Sequence, residues 1–207
     1  MRVVHFGHAC VLLDTGSTRL LIDPGVFSAG FEEVTDLDAV LITHQHADHI
    51  DVEKLPALLA KNPKAQLITD SGSAAQVENA RVATPGEVIK VGGASVRVVG
   101  GEHAVIHRDI PIVPNTGYVI DDGAFYHPGD SLFVPDEDVD VLGLPTGAPW
   151  LKLGEAVDFL REIAPRVAVP IHEKVLAMPQ MAYTHFGNLK PDGTTVRPLT
   201  PGEETEV

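Results

Sequence analysis

Apolar and polar positions divide the chain into two kinds of short run: those that alternate or stay apolar throughout, and those in which apolar residues recur at spacings of three and four. Residues 2–13 are apolar and β-branched, and 19–22 form another such run beyond the turn-forming Asp14-Thr15-Gly16-Ser17, which predicts a hairpin. Asp23-Pro24-Gly25 ends it. Residues 38–43 are continuously apolar, the pattern of a strand covered on both faces. In 51–60, Val52, Leu55, Leu58 and Leu59 fall at helical spacing, with Asp51 placed to cap the helix and Pro56 to restart or kink it.

Further along, 66–69 predicts a strand, 73–78 a helical turn, and 88–91 with 95–99 a hairpin about Gly92-Gly93. Residues 118–120 and 124–126 flank Asp121-Asp122-Gly123, a third hairpin, and 139–144 again reads as a buried strand. Residues 154–164 place Ala156, Val157, Leu160 and Ile163 on one helical face; 166–171 is a strand, and 193–199 a last strand before the turn Pro201-Gly202. This order predicts an α/β protein of two similar β-rich halves, packed sheet on sheet with helices on the outer faces. At 207 residues, 44% of them hydrophobic, one domain spanning 1–207 is expected.

Charge narrows the partners. Lys and Arg number 15 against 29 Asp and Glu, a formal charge of -14, which disfavours nucleic acid and anionic membrane surfaces. No apolar run approaches the roughly 20 residues that span a bilayer, and no signal peptide is recognisable. Cys10 is the only cysteine, so an intrachain disulfide and a thiolate zinc cluster are both excluded and a cytoplasmic setting is expected. Ten histidines beside so many carboxylates raise the question of metal binding.

Four of the candidate ligands crowd into His44-Gln45-His46-Ala47-Asp48-His49, directly after the apolar run 38–43. On an extended backbone His44 and His46 point the same way and reach one ion. Asp48 and His49, past the bend, serve a second ion, since paired ions in hydrolytic sites lie about 3.5–4 Å apart. A stable site takes about four donors, so others must come from elsewhere. His103, Asp130 and His172 each follow the carboxyl end of a predicted strand, with His107 competing with His103 four residues later.

The six-residue motif, with His103, Asp130 in Gly129-Asp130-Ser131 and His172 in Pro170-Ile171-His172, resembles the metallo-β-lactamase superfamily over essentially the whole chain. His5-Phe6-Gly7-His8-Ala9-Cys10, Leu20-Leu21-Ile22-Asp23-Pro24 and Gly143-Leu144-Pro145-Thr146-Gly147 are most similar to its small stand-alone metal-dependent hydrolases related to L-ascorbate-6-phosphate lactonases. The resemblance implies an αββα sandwich with two divalent metal ions at one edge. His44, His46 and His103 would bind the first, Asp48, His49 and His172 the second, and Asp130 would bridge them. Zinc is the first expectation because nitrogen ligands dominate, with manganese or iron next.

In that arrangement a metal-bound hydroxide is the nucleophile, Asp48 orients it or takes its proton, and no Ser or Cys nucleophile is needed. Asp23, otherwise a turn aspartate before Pro24, would accept a ring N–H from a ligand histidine and fix its tautomer. Candidate substrate contacts are His8, read either as a residue at the pocket rim or as a hydrogen-bonded core histidine, and His107, Arg108, Trp150, Lys152 and Lys174, against the alternative that each basic side chain is simply solvated; His5, His127 and His185 are read as structural or surface residues. The expected activity is hydrolysis of a small lactone, ester or phosphodiester by a protein whose partners are small molecules and, as an open option, further copies of itself. The alternatives are a metal-binding sensor or scaffold with little turnover, and a phosphodiesterase acting on small nucleotides.

Overall fold

Short apolar runs punctuated by turns give two mixed sheets of seven strands each, described for residues 1–207 by a computed structural model. In the first half, β1 (Arg2–His5), β2 (Val11–Asp14), β3 (Arg19–Ile22) and β4 (Ala39–Ile42) precede helix α1 (Leu55–Lys61), β5 (Gln66–Thr69), the short helix α2 (Ser71–Ala74) and β6 (Arg81–Val82). The second half supplies β7 (Val88–Val91), β8 (Ala94–Glu102), β9 (Pro114–Ile120), β10 (Phe125–His127) and β11 (Val141–Pro145). Helix α3 (Leu153–Ile163), β12 (Val167–Ile171), helix α4 (Pro179–Leu189) and β13 (Thr195–Val196) follow, and β14 (Glu204–Glu206) returns to pair antiparallel with β1. The sheet orders are β14-β1-β2-β3-β4-β5-β6 and β13-β12-β11-β10-β9-β8-β7.

Side-chain alternation explains the layers. In β4, Ala39 and Leu41 enter a core shared by both sheets, where they meet Leu20, Ile22, Val96, Val98, Tyr118 and Val169, while Val40 and Ile42 face the other way onto Leu55 and Leu58 of α1. In β11, Val141 faces the shared core, and Leu142 and Leu144 pack on Ala156, Phe159 and Leu160 of α3 and on Ala182 and Phe186 of α4. The result is helix, sheet, sheet, helix. Each fully buried Leu or Ile in these layers contributes roughly 1.5–3 kcal/mol.

The strand directions place the chemistry. β1 runs with β3, which is parallel to β4; β8 runs with β10, which is parallel to β11, and β11 to β12. The carboxyl ends of β3, β4, β8, β10 and β12 therefore lead into Asp23, His44, His103, Asp130 and His172. Ring centroids of His44 and His103, one from each sheet, lie 4.9 Å apart, so both sheets deliver these loops to one edge.

Local structure differs from expectation in several places. The run 2–13 is two antiparallel strands, with Arg2 opposite Asp14, because Gly7 (φ 92°) and His8 (φ 54°) adopt left-handed backbone and turn the chain. Helix α1 begins at Leu55: Asp51 Oδ1 accepts from the N–H groups of Glu53 and Lys54 in a turn ahead of it, and Pro56 sits in the first helical turn, where its missing N–H costs nothing. α2 starts at Ser71, capped by Asp70, which accepts from Gly72 N and Ser73 N at 2.6 and 3.0 Å. Helix α4, β6 and β14 were not anticipated.

Candidate metal centre

The ligand-bearing loops are held by backbone contacts that leave little freedom. The turn from His46 to Ile50 closes through His49 N and Ile50 N, which both donate to His46 O, and packs on Pro24-Gly25. A Cβ at Gly25 would stand 1.9 Å from Asp48 O, so only glycine fits there. Asp130 N donates to Asn115 Oδ1 at 3.0 Å, and the preceding Gly129 (φ 64°) passes so close that a Cβ would lie 2.3 Å from the same oxygen. His172, at φ 61°, donates its backbone N–H to His8 O at 2.8 Å.

These loops bring His44, His46, His103 and Asp130 into one group of ligand atoms, and His8, Asp48, His49 and His172 into a neighbouring one, all within 4.8 Å of one another in each group. Asp130 spans the two. Its Oδ1 stands 3.0 Å from His49 Nε2 and 3.1 Å from His172 Nε2, and its Oδ2 3.3 Å from His103 Nε2. His44 Nε2 and His46 Nδ1 face each other at 3.1 Å.

The far sides of four of the imidazoles are anchored. His49 Nδ1 donates to Asp23 Oδ2 at 2.7 Å, His103 Nδ1 to Ala104 O at 2.5 Å, and His172 Nδ1 to Gly147 O at 2.6 Å. His44 Nδ1 meets Thr43 Oγ1 at 3.1 Å, and that hydroxyl donates to Asp23 Oδ2 at 2.7 Å. The near sides are not anchored. His49 Nε2, His103 Nε2, His172 Nε2 and Asp130 Oδ1 are buried and lie close to one another, but none makes a well-aligned hydrogen bond, an arrangement costly for polar atoms unless an ion takes their lone pairs.

Charge states agree with that reading. Burial, helped by His49, pushes the His44 imidazole well below its ordinary pKa, and burial with His103 lowers His46. Burial also opposes charge on His49 and His172, but Asp130 with Asp23 raises the first well above its ordinary value, and Asp130 with Asp48 lifts the second to about 9. Despite burial, the Asp130 carboxyl is held well below the usual range by His49 and His172, and Asp48 by His172 and His8. The two carboxylates thus hold extra protons on two imidazoles, a demand for positive charge that divalent cations meet. The donor set, imidazole nitrogen with two carboxylates, fits such ions.

The remaining sequence candidates divide. Asp23 is fully buried and receives Thr43 N at 2.7 Å as well as His49. His103 points at Asp130 and joins the cluster, whereas His107 is exposed and accepts from Asp109 N. Arg108 is 87% exposed beside Asp109, and Lys152 is 84% exposed and paired with Glu155 at the start of α3; neither makes a hydrogen bond to a ligand residue. Trp150 does: its Nε1 donates to Asp130 Oδ2 at 2.8 Å. Lys174 packs its stem beside Gly7, with Nζ 4.0 Å from Glu173 Oε1.

Of the two readings of His8, the structure realises the hydrogen-bonded core histidine and not the rim residue. It is fully buried, with Nε2 2.9 Å from Asp48 Oδ2, because the left-handed turn after β1 folds it inward. Sequence reading missed the roles of Thr43 and Asn115, whereas His127 is structural, fully buried with its Nε2 on Ala9 O at 2.9 Å. The one available signal was position, since Thr43 ends a strand that leads into ligands.

Residues 2–172 match the beta-lactamase superfamily domain, and the chain belongs to that superfamily. It is 50% identical over 208 residues to the Mycobacterium tuberculosis protein Rv0786c, covering 98% of each chain. It is 27% identical over 231 residues, the whole of both chains, to a metal-dependent hydrolase of Opitutus terrae. The metallo-β-lactamase fold protein YhfI from Bacillus subtilis superposes with a TM-score of 0.75 at 18% identity, over 99% of this chain and 98% of that one. The two layered sheets with outer helices are that fold.

Proposed function

We propose that the protein is a metal-dependent hydrolase of the metallo-β-lactamase fold that holds two divalent ions and opens or cleaves a small lactone, ester or phosphodiester. One observation carries the reading: four buried ligand atoms, on His49, His103, Asp130 and His172, converge from both sheets without a well-aligned hydrogen bond. His44, His46 and His103 would hold one ion, Asp48, His49 and His172 the other, with Asp130 offering one oxygen to each. Bound there, divalent ions would supply Lewis acidity, lowering the pKa of water towards neutrality and polarising a scissile carbonyl or phosphoryl group.

Asp48 is ionised and, at 22% side-chain exposure, far less enclosed than the other carboxylate, Asp130, so it is the acid residue placed to accept a hydrogen bond from water entering the site. Asp130 stays fixed by Asn115 below and Trp150 above. Asp23 sets the His49 tautomer. Zinc suits the nitrogen-rich set best, with manganese or iron served by the same carboxylates. The lactone preference rests on resemblance around His5–Cys10 and Gly143–Gly147; the formal charge of -14 favours small substrates over long polyanions. No helix is long and apolar enough to cross a membrane, and the lone buried thiol suits the reducing cytoplasm.

Elemental analysis should find close to two transition-metal ions per chain. Metal-loaded protein should turn over at least one of a panel of lactones, aryl esters and bis(p-nitrophenyl) phosphate, and Asp48→Ala and Asp130→Ala should abolish it. A chain that takes up no metal overturns the reading; full loading with no turnover above the variants points instead to a sensor or scaffold.

A further inference from the structure

His8 sits in the turn between β1 and β2, in left-handed backbone that three hydrogen bonds enforce. Its carbonyl accepts from His172 N and His5 Nε2, each at 2.8 Å, and its N–H donates to Glu173 Oε1 at 3.1 Å. The ring is thereby pinned, its centroid 3.9 Å from that of His172 and its Nε2 2.9 Å from Asp48 Oδ2. By proximity alone it is one more nitrogen for the second ion.

The outward ring nitrogens decide otherwise. A metal-binding imidazole carries its proton on the nitrogen turned away from the ion and gives it to an oxygen. The four buried ligand imidazoles, His44, His49, His103 and His172, all have such an oxygen: Thr43 Oγ1, Asp23 Oδ2, Ala104 O and Gly147 O; His46, the fifth, is half-buried and reaches solvent instead. His8 Nδ1 is buried and has none. A proton there would be a stranded donor, so the His8 proton belongs on Nε2, against Asp48. The tautomer is opposite to that of the ligand histidines.

We infer that His8 is a positioning residue and not a ligand: its Nε2–H holds the Asp48 carboxylate in place, and its backbone, tied to His172 and Glu173, couples that carboxylate to the end of β12. This rests on Asp48 serving the second ion, as proposed above. Loss of the N–H frees Asp48 to rotate and weakens one of the two metal sites.

The direct test is long-range proton–nitrogen correlation spectroscopy of zinc-loaded protein labelled at histidine. His8 should appear as the Nε2–H tautomer, and His49, His103 and His172 as Nδ1–H tautomers with metal-shifted Nε2. A metal-shifted Nε2 on His8 overturns the inference and makes it a ligand. Chelator competition supplies the second arm. His8→Met, which keeps volume but has no donor, should weaken one zinc site about 10–100-fold, and His8→Gln, which places an N–H at similar reach, should recover most of it. Equal affinities in the two variants overturn the inference in favour of packing alone. Both readouts are independent of turnover, so a failure to hydrolyse any substrate strikes the proposed function without touching them.

Discussion

Asp23 Oδ2 receives the ring N–H of His49 at 2.7 Å while both groups are completely removed from solvent. The same carboxylate takes the backbone N–H and hydroxyl of Thr43, so its donors come from the strand end that launches the His44–His49 motif and from the motif's last residue. Asp23 links the end of β3 to the start of the ligand turn, and it fixes which nitrogen of His49 faces Asp130.

Replacing it tests that link. Asp23→Ala removes the acceptor for His49 Nδ1–H and strands the Thr43 donors, and outer partners of ligating histidines are typically worth 10–100-fold in metal affinity. We expect one of two zinc ions to be lost to chelator at about 10–100-fold lower competitor concentration. Unchanged zinc retention would remove Asp23 from the metal centre.

Metal uptake should release protons. Without metal, His172, raised to about 9, and His49, raised well above its ordinary value, are protonated at pH 7, and each must lose that proton before Nε2 can bind an ion. Affinity should therefore fall as pH drops below about 9. The sign for stability is the reverse: a folded pKa above the ordinary 6.5 means the His172 pairing stabilises the metal-free fold in full below that value and loses its contribution as pH rises through about 9. Calorimetric titrations with zinc in buffers of different ionisation enthalpy should give different heats; buffer-independent heats would contradict the protonation states.

Cys10 should be chemically silent in the folded protein. It is fully buried at the start of the strand that follows His8, and burial, then Asp23 and Glu32, push its thiol well above its ordinary pKa. Iodoacetamide at pH 8 should leave native protein unlabelled and modify one site per chain in denaturant. Rapid labelling under native conditions would show that this corner of the fold opens.

The candidate cluster was legible because crowding is local: four of its members share six residues, and the other three each follow a strand whose apolar pattern is strong. The layers were legible for the same reason, as β4 and β11 are apolar on both faces. What escaped depends on distant partners. α4 buries only Ala182 and Phe186 and carries Thr184 and Gly187, so its helical pattern is faint and packing on α3 and β11 decides it. β14 is Glu-Thr-Glu, visible only as the partner of β1. His8 turned inward through two left-handed residues, Gly7 and His8 itself, and Trp150 reached Asp130 across 20 positions; neither has a signature in spacing.

Trp150 offers a direct reporter of the centre. It is the only tryptophan, its Nε1–H is bonded to Asp130 Oδ2, and its ring lies 6.1 Å from that of His103 in an edge arrangement. Ion binding between these two residues withdraws charge from the oxygen that the indole donates to, so the emission of metal-free protein should change with added zinc and level off once the sites are filled. Trp150→Phe keeps the ring and removes the N–H. A hydrogen bond to a charged group is worth roughly 1.5–3 kcal/mol, so the variant should bind zinc about tenfold or more weakly in the site that uses Asp130 Oδ2 if the indole holds that oxygen towards the ion. An emission that ignores zinc, together with unaltered affinity in Trp150→Phe, would mean that the indole covers the site without steering its carboxylate.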